Sequence, residues 1–94
     1  MIQSFKCLET EKIYNEERSK KFPVEIQTVA LRKLRMIHNA TCLDDLRCPP
    51  KNKLEKLQGN RMGQHSIRTN YKYRLCFIWT LDNHAQQVEI IDYH

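Results

Sequence analysis

The sequence has no apolar stretch long enough to cross a membrane and no hydrophobic leader at its start. Its first six residues, MIQSFK, lack both the basic start and the apolar core of a secretory signal peptide. A length of 94 residues allows one domain, spanning 1–94, with a modest core and no deep enclosed cofactor site. These absences predict a cytoplasmic protein with an open surface site and no membrane partner.

Metal-binding patterns are also absent from the sequence. The four cysteines form no CxxC pair, and no HxxxH pair accompanies them; they are Cys7, Cys42, Cys48 and Cys76. A cytoplasmic location favours reduced thiols over disulfides. We therefore expect neither a bound metal nor another cofactor.

Glycine is scarce, and both glycines lie in one five-residue window, GNRMG, from Gly59 to Gly63. Glycine suits backbone conformations with positive φ, so the window predicts a tight loop that displays Arg61. The spacing is not that of a phosphate-binding Walker loop. An ordinary connecting turn explains the window equally well.

The first half of the chain has the composition and spacing of helices. We expect a short opening strand at residues 2–5 and a polar surface helix from about residue 8 to residue 20. A capping box at residues 41–44 predicts one later helical turn, and a linker follows at residues 49–53.

A second helix, beginning near Pro23, is predicted to supply the core. Its apolar residues recur at helical spacing, at Ile26, Ala30, Leu34 and Ile37. The opposite face carries three cations that either contact RNA or are solvated, namely Arg32, Lys33 and Arg35.

After the linker the apolar period changes to that of strands. We predict strands at residues 65–69, 73–80 and 86–91, with a turn at residues 82–84. Strands joined by short turns form an antiparallel sheet, against which the second helix buries its stripe. The predicted class is therefore α+β.

Positive charge is concentrated beside these strands. The formal net charge is +5, and four cations lie between positions 61 and 74: Arg61, Arg68, Lys72 and Arg74. Tyr71 and Tyr73 lie among them, and basic residues interleaved with aromatic rings suit single-stranded RNA. For Tyr73, however, the strand alternation also fits packing in the core.

The last predicted strand leads directly into Asp92, Tyr93 and His94. Histidine exchanges protons near neutral pH, and RNA cleavage without a metal needs an acid, a base and positive charge for the transition state. The triplet therefore predicts a nuclease site in which Arg74 neutralises phosphate. A strand followed by a polar tail is the alternative interpretation.

Four segments together resemble the HigB family of toxins, part of the RelE-like superfamily of type II toxin–antitoxin systems. They are MIQSF at the start, NKLEKLQGNRMGQHSIR at residues 52–68, YRLCF at 73–77 and VEIIDYH at 88–94. The resemblance implies a small α+β toxin, with two N-terminal helices on a mostly antiparallel twisted sheet whose C-terminal strand carries the site.

The resemblance also implies an activity and a set of partners. Such a toxin enters the A site of the 70S ribosome and cleaves mRNA during translation, which arrests growth. A HigA-like helix-turn-helix antitoxin neutralises it, and the complex binds operator DNA through the antitoxin and represses its own promoter. Asp92, Tyr93, His94 and Arg74 match the functional residues of the family.

One segment departs from the better-studied branch of the family. Glu55 and Gln58 stand where that branch has a histidine and a lysine, and the pattern NxLExLxGNR is similar to a branch of milder toxicity. We expect slower cleavage, with Glu55 as a base and with Arg61 and Arg68 binding phosphate. Glu55 is otherwise a plain surface or helix-end residue.

Two other functions fit the same sequence. The basic, aromatic sheet suits a ribosome- or RNA-binding module that blocks translation without cutting, and a basic subunit suits a corepressor that only binds an acidic antitoxin. Of the remaining histidines, His65 lies beside the glycine window and is a candidate for the site, whereas His84 is expected in a turn.

Overall fold

The computed structural model describes residues 1–92 as two helices followed by four strands. The helices are α1 (Leu8–Tyr14) and α2 (Val24–Asn39), and the strands are β1 (Glu55–Lys56), β2 (Gln64–Arg68), β3 (Tyr73–Trp79) and β4 (Ala85–Asp92). Two of the candidate site residues, Tyr93 and His94, lie outside the described residues.

The four strands form one antiparallel sheet in the order β1-β2-β3-β4. This sheet confirms the predicted α+β class, and β2, β3 and β4 begin and end within one or two residues of the predicted bounds. The sequence analysis missed β1, since two exposed residues are too few to show a strand period. Glu55 therefore lies in an edge strand rather than at a helix end.

The N-terminal segment runs beside the far edge of the sheet. Ile2 and Phe5 form isolated parallel bridges with Ala85 and Val88 of β4, so the predicted opening strand is present only as two bridges. The backbone N–H of Ile2 also donates to Nδ1 of His38, at 3.2 Å. This bond ties the start of the chain to the last turn of α2.

Helix α1 is shorter than the sequence predicted, because it ends at Tyr14 rather than near residue 20. Glu16 has a φ of 62°, in the left-handed region that stops a helix. Only Thr10 and Ile13 are buried along the helix, so no apolar face supports a longer one. The chain then turns back and is held by Ser19, whose hydroxyl donates to Glu9 at 2.7 Å.

Helix α2 buries the predicted stripe against one face of the sheet. Its four stripe residues join the side chains of Ile67, Leu75, Phe77 and Ile90 in one core cluster. Burial of each large apolar side chain contributes roughly 1.5–3 kcal/mol. Pro23 was predicted to lie in the first turn but is the N-cap, so the helix begins one residue later, at Val24.

The predicted linker contains a buried anchor. A 3-10 turn at Leu43–Arg47 is followed by a second at Pro50–Asn52. Asn52 is fully buried, where it donates to the Leu46 carbonyl at 3.1 Å and accepts from Lys33 of α2. Lys33 is thus buried rather than part of a solvated helix face.

A β-bulge in β4 sets which side chains face away from the helices. Its register with β3 shifts between Cys76 and Ile78, and Gln87 takes a positive φ of 52° at the shift. Because of this extra residue, Glu89 pairs with Cys76 and shares the open face of the sheet with Arg74.

Within residues 1–92, neither helix combines the length and the hydropathy that a membrane span requires.

Thr10 links α1 to β4, because its Oγ1 accepts a hydrogen bond from the Ile90 backbone N–H at 3.0 Å. We expect Thr10→Val to lower the free energy of unfolding by about 1–3 kcal/mol, since it leaves this buried N–H without an acceptor. Urea denaturation measures the change. Thr28→Val, at an exposed position of α2, is the matched control and should change stability by less than about 0.5 kcal/mol. Equal stability of the two variants would contradict the proposed link.

Candidate functional site

A cleft of about 500 Å³ lies on the face of the sheet opposite the helices. It runs from the edge strand across β2 and β3 to the end of β4. Its lining residues are Glu55, Lys56, Leu57, Gln58, Arg61, Ser66, Arg74, Cys76, Ile91 and Asp92. Four of the candidate site residues, Glu55, Arg61, Arg74 and Asp92, thus line one open cleft.

Arg74 forms the floor of this cleft. Its side chain is only 7% exposed, although it carries a charge. Its Nε donates to Oγ of Ser66 at 2.9 Å, and one terminal nitrogen donates to the backbone oxygen of Lys53 at 2.8 Å. These hydrogen bonds fix the orientation of the planar guanidinium.

Glu55 lies directly beside Arg74 at the edge of the sheet. One carboxylate oxygen is 3.7 Å from a terminal nitrogen of Arg74, and the glutamate side chain is 49% exposed. The register of β1 with β2 places Glu55 opposite Ser66, the same residue that holds Arg74. A half-exposed carboxylate beside a fixed cation is placed to take a proton from a ligand in the cleft.

Arg61 reaches the cleft from the glycine loop. Gly59 and Gly63 have φ values of 65° and 91°, so the predicted tight loop with positive φ is confirmed. Arg61 donates to Glu89 at 3.1 Å and to Gln64 at 3.2 Å, and its side chain remains 34% exposed. Its charge is thus held at the rim, within reach of an anion.

Asp92 lies at the end of the cleft, whereas its neighbours Lys72 and Tyr73 are not among the lining residues. In the register, Asp92 pairs with Tyr73, and its carboxylate lies 3.7 Å from the Lys72 ammonium. The Lys72 ammonium also lies over the Tyr73 ring, 5.4 Å from its centre, and Phe22 contacts the same ring edge-on. Tyr73 therefore packs partly against the core, as its alternation allowed.

Arg68 and His65 lie away from the cleft. Arg68 lines a neighbouring concave surface beside α2, where its Nε donates to the Asn70 carbonyl at 3.0 Å. His65 pairs with Phe77 and stacks on it, on the helix side of the sheet. Burial, together with the charge of Lys56, lowers the pKa of His65. His84 lies near the chain start, with Nδ1 3.3 Å from the N-terminal amine.

Sequence reasoning missed two residues that position the charges of the site. Ser66 holds Arg74, and Glu89 holds Arg61. Both contacts depend on the register of the strands, which the sequence does not give. The only signal in the sequence was a polar residue within each of two predicted strands. Cys76 also lines the cleft, but burial raises its thiol pKa, so the thiol stays neutral. The described part of the chain contains no group of three potential metal-ligating side chains.

Comparison with known proteins shows that the chain matches a protein family. The family model described as the RelE-like toxin of the type II toxin–antitoxin system HigB matches residues 3–94. Toxin HigB-1 of Vibrio cholerae serotype O1 is 40% identical over 80 residues, which is 84% of each chain. A protein of Haemophilus influenzae without an assigned function is 36% identical over 81 residues, covering 86% of this chain and 77% of that protein.

Two solved structures share the fold. Both are YoeB–YefM complexes from Staphylococcus aureus, one of them heterotetrameric. Their TM-scores are 0.57 and 0.60, at 19% and 22% identity, and in each case the match covers all of this chain and 98% of the other. At this identity the likeness shows the fold alone, two helices on an antiparallel sheet.

The lowered pKa of His65 predicts acid sensitivity of the fold. Below the ordinary histidine pKa of about 6.5, the unfolded chain binds a proton that the folded chain resists, so stability falls as pH falls. We expect His65→Phe to reduce the drop in melting temperature between about pH 7.5 and about pH 5. His84→Phe is the control and should keep the wild-type drop. An unchanged drop in His65→Phe would show that another group causes it.

Proposed function

The chain belongs to the HigB-like family of RelE-like toxins of type II toxin–antitoxin systems, and on this premise we propose that it is a ribosome-dependent mRNA endoribonuclease. One observation carries the proposal beyond family membership. A single open cleft holds the Glu55 carboxylate beside the fixed guanidinium of Arg74, with Arg61 at its rim. An open cleft suits a strand of mRNA in the ribosomal A site, which supplies the substrate.

The proposed reaction uses the 2′-hydroxyl of the RNA as its nucleophile. Glu55 takes the proton of this hydroxyl, and the 2′-oxygen attacks the adjacent phosphorus atom. The bond from phosphorus to the 5′-oxygen then breaks, leaving a 2′,3′-cyclic phosphate, while the 5′-oxygen receives a proton. Arg74 and Arg61 neutralise the negative charge that grows on the phosphate oxygens. None of these steps requires a metal ion.

The terminal residues complete the proposed machinery. Asp92 lines the cleft and orients its neighbours, and Tyr93 and His94 follow it in the chain. We assign to His94 the proton delivered to the leaving 5′-oxygen, because histidine carries protons at neutral pH. Tyr93 is assigned to stack on a base of the message. Tyr73, Lys72 and Arg68 are the flanking RNA contacts in this proposal.

We also propose that the chain belongs to the branch of the family with milder toxicity. Gln58 lines the cleft, where a neutral amide neither transfers a proton nor neutralises phosphate. With fewer proton carriers, cleavage should be slower than in family members that have a histidine and a lysine in this segment.

An antitoxin is the proposed partner. The structural relatives are toxin–antitoxin complexes, and the net charge of +5 favours an acidic protein segment. We expect a HigA-like helix-turn-helix antitoxin to neutralise the toxin, and the complex to bind its operator DNA and repress it.

Glu55→Gln tests the base. It keeps the size of the side chain but removes proton acceptance, so we expect cleavage to slow by about 10²–10⁴-fold. Primer extension on mRNA in a purified translation reaction measures the cut ends. Glu11→Gln, at an exposed position of α1, is the control and should cut at the wild-type rate. Wild-type cleavage by Glu55→Gln would remove this glutamate from the mechanism.

His94→Ala tests the terminal acid in the same reaction. We expect a folded protein that still binds ribosomes, loses most cleavage and inhibits growth far less than the wild type. Equal toxicity of the two proteins would disprove the terminal site. If the wild type itself stalls ribosomes without producing cut ends, the protein is a non-catalytic translation blocker instead.

A further inference from the structure

A second concave surface, here called the basic groove, lies between α2 and the turn that joins β2 to β3. It encloses about 420 Å³. Its lining residues are Val29, Arg32, Lys33, Lys51, Lys53, Arg68, Thr69, Asn70 and Tyr71. Five of these described residues are cations and none is an acid, so the groove is a concentrated positive surface.

Three separate parts of the chain build the basic groove. Arg32 and Lys33 come from α2, whereas Lys51 and Lys53 flank the buried Asn52 in the second 3-10 turn. Arg68 ends β2. The convergence of three segments gives the groove a fixed shape, since Asn52 anchors the turn to the helix.

The turn after β2 is ordered by its own side chain. Oδ1 of Asn70 accepts hydrogen bonds from the backbone N–H groups of Lys72 and Tyr73, at 2.9 and 2.8 Å. This arrangement leaves the Tyr71 ring 76% exposed beside the cations of the groove. An exposed ring on an ordered turn is a stacking platform for a base.

Two buried polar groups that line the groove have few or no hydrogen-bond partners among the described residues. Lys33 is only 6% exposed, and Asn52 is its one hydrogen-bond acceptor among the described residues. Burial, reinforced by the charges of Arg32 and Lys51, lowers its pKa. Thr69 is 8% exposed, and its buried Oγ1 has no hydrogen-bond partner within residues 1–92. Both residues line the groove, so an anion bound there would lie beside the buried ammonium and the unpartnered hydroxyl.

The basic groove is continuous with the cleft. A hollow of about 230 Å³ between them shares Lys53, Arg68, Asn70 and Tyr71 with the groove. The same hollow is lined by Glu55 and Arg74, which also line the cleft. A strand leaving the cleft past Arg74 therefore enters the groove directly.

We propose that the basic groove binds backbone phosphate of the RNA strand that flanks the nucleotide in the cleft, while Tyr71 stacks on a neighbouring base. This inference rests on the proposed function, because it takes RNA as the occupant of the cleft. A strand fits better than a small free anion, since the five cations line a groove beside an exposed ring rather than a closed pocket.

The test measures binding of a labelled single-stranded 2′-O-methyl RNA, which lacks the nucleophile and cannot be cut. We expect the double variant R32A/K51A to bind this RNA more weakly and with a smaller dependence on salt. The slope of log affinity against log salt should fall by about 0.7 for each phosphate that no longer has a cation beside it, or by about 1.4 for two phosphates. Fluorescence anisotropy at several salt concentrations gives the slope.

The control variant R18A/K20A removes the same charges from exposed positions outside the groove. It should bind with the wild-type affinity and slope. Equal reductions in RNA affinity in the two double variants would mean only general attraction to a basic protein, and would overturn the proposal. Wild-type RNA binding by R32A/K51A together with abolished antitoxin binding would also overturn it, in favour of an acidic protein segment.

Thr69→Val provides a second test that separates binding from folding. Removal of an unpartnered buried hydroxyl should leave the melting temperature unchanged or higher. We expect the same variant to bind the 2′-O-methyl RNA several-fold more weakly. Unchanged RNA binding in Thr69→Val would remove this hydroxyl from the site. Because the probe cannot be cleaved, these results decide the groove even if the wild type fails to cut mRNA during translation.

Discussion

The buried guanidinium of Arg74 is the constraint on which the open face of the sheet depends. Removing a cation from water costs free energy, because the cation loses its hydration. Hydrogen bonds to oxygen atoms of the protein offset this cost. Here the oxygens come from β2, from the chain leading out of the second 3-10 turn and from β1, through Ser66, Lys53 and Glu55. The strand pairing that sets Glu55 opposite Ser66 therefore also brings a carboxylate beside Arg74 at the cleft.

Much of the fold followed from apolar spacing. The stripe of α2 and the alternation of β3 predicted an α+β domain, because burial of one face at each period leaves few other arrangements. Spacing could not predict the end of α1 or the two-residue β1, where too few buried residues set a period. Nor could it predict the bulge at Gln87, which depends on how β4 fits β3.

The residues that line the cleft could be predicted better than their arrangement. Glu55, Arg61, Arg74 and Asp92 were all named from the sequence and share the cleft, whereas Arg68 lies in the adjoining basic groove. Lys33 illustrates the limit best. On a helical projection it belongs to the polar face of α2, and only the fold of the following turn buries it against Asn52.

Both edges of the sheet limit the pairing of a further strand. An open edge offers unpaired backbone groups to any strand that approaches, which is a common route to aggregation. On the β4 side, the segment from Ile2 to Phe5 covers part of the edge. On the other side, β1 is only two residues long, and both of them, Glu55 and Lys56, are charged and exposed. The Glu55 carboxylate, proposed as the catalytic base, therefore also disfavours the pairing of another strand with this edge.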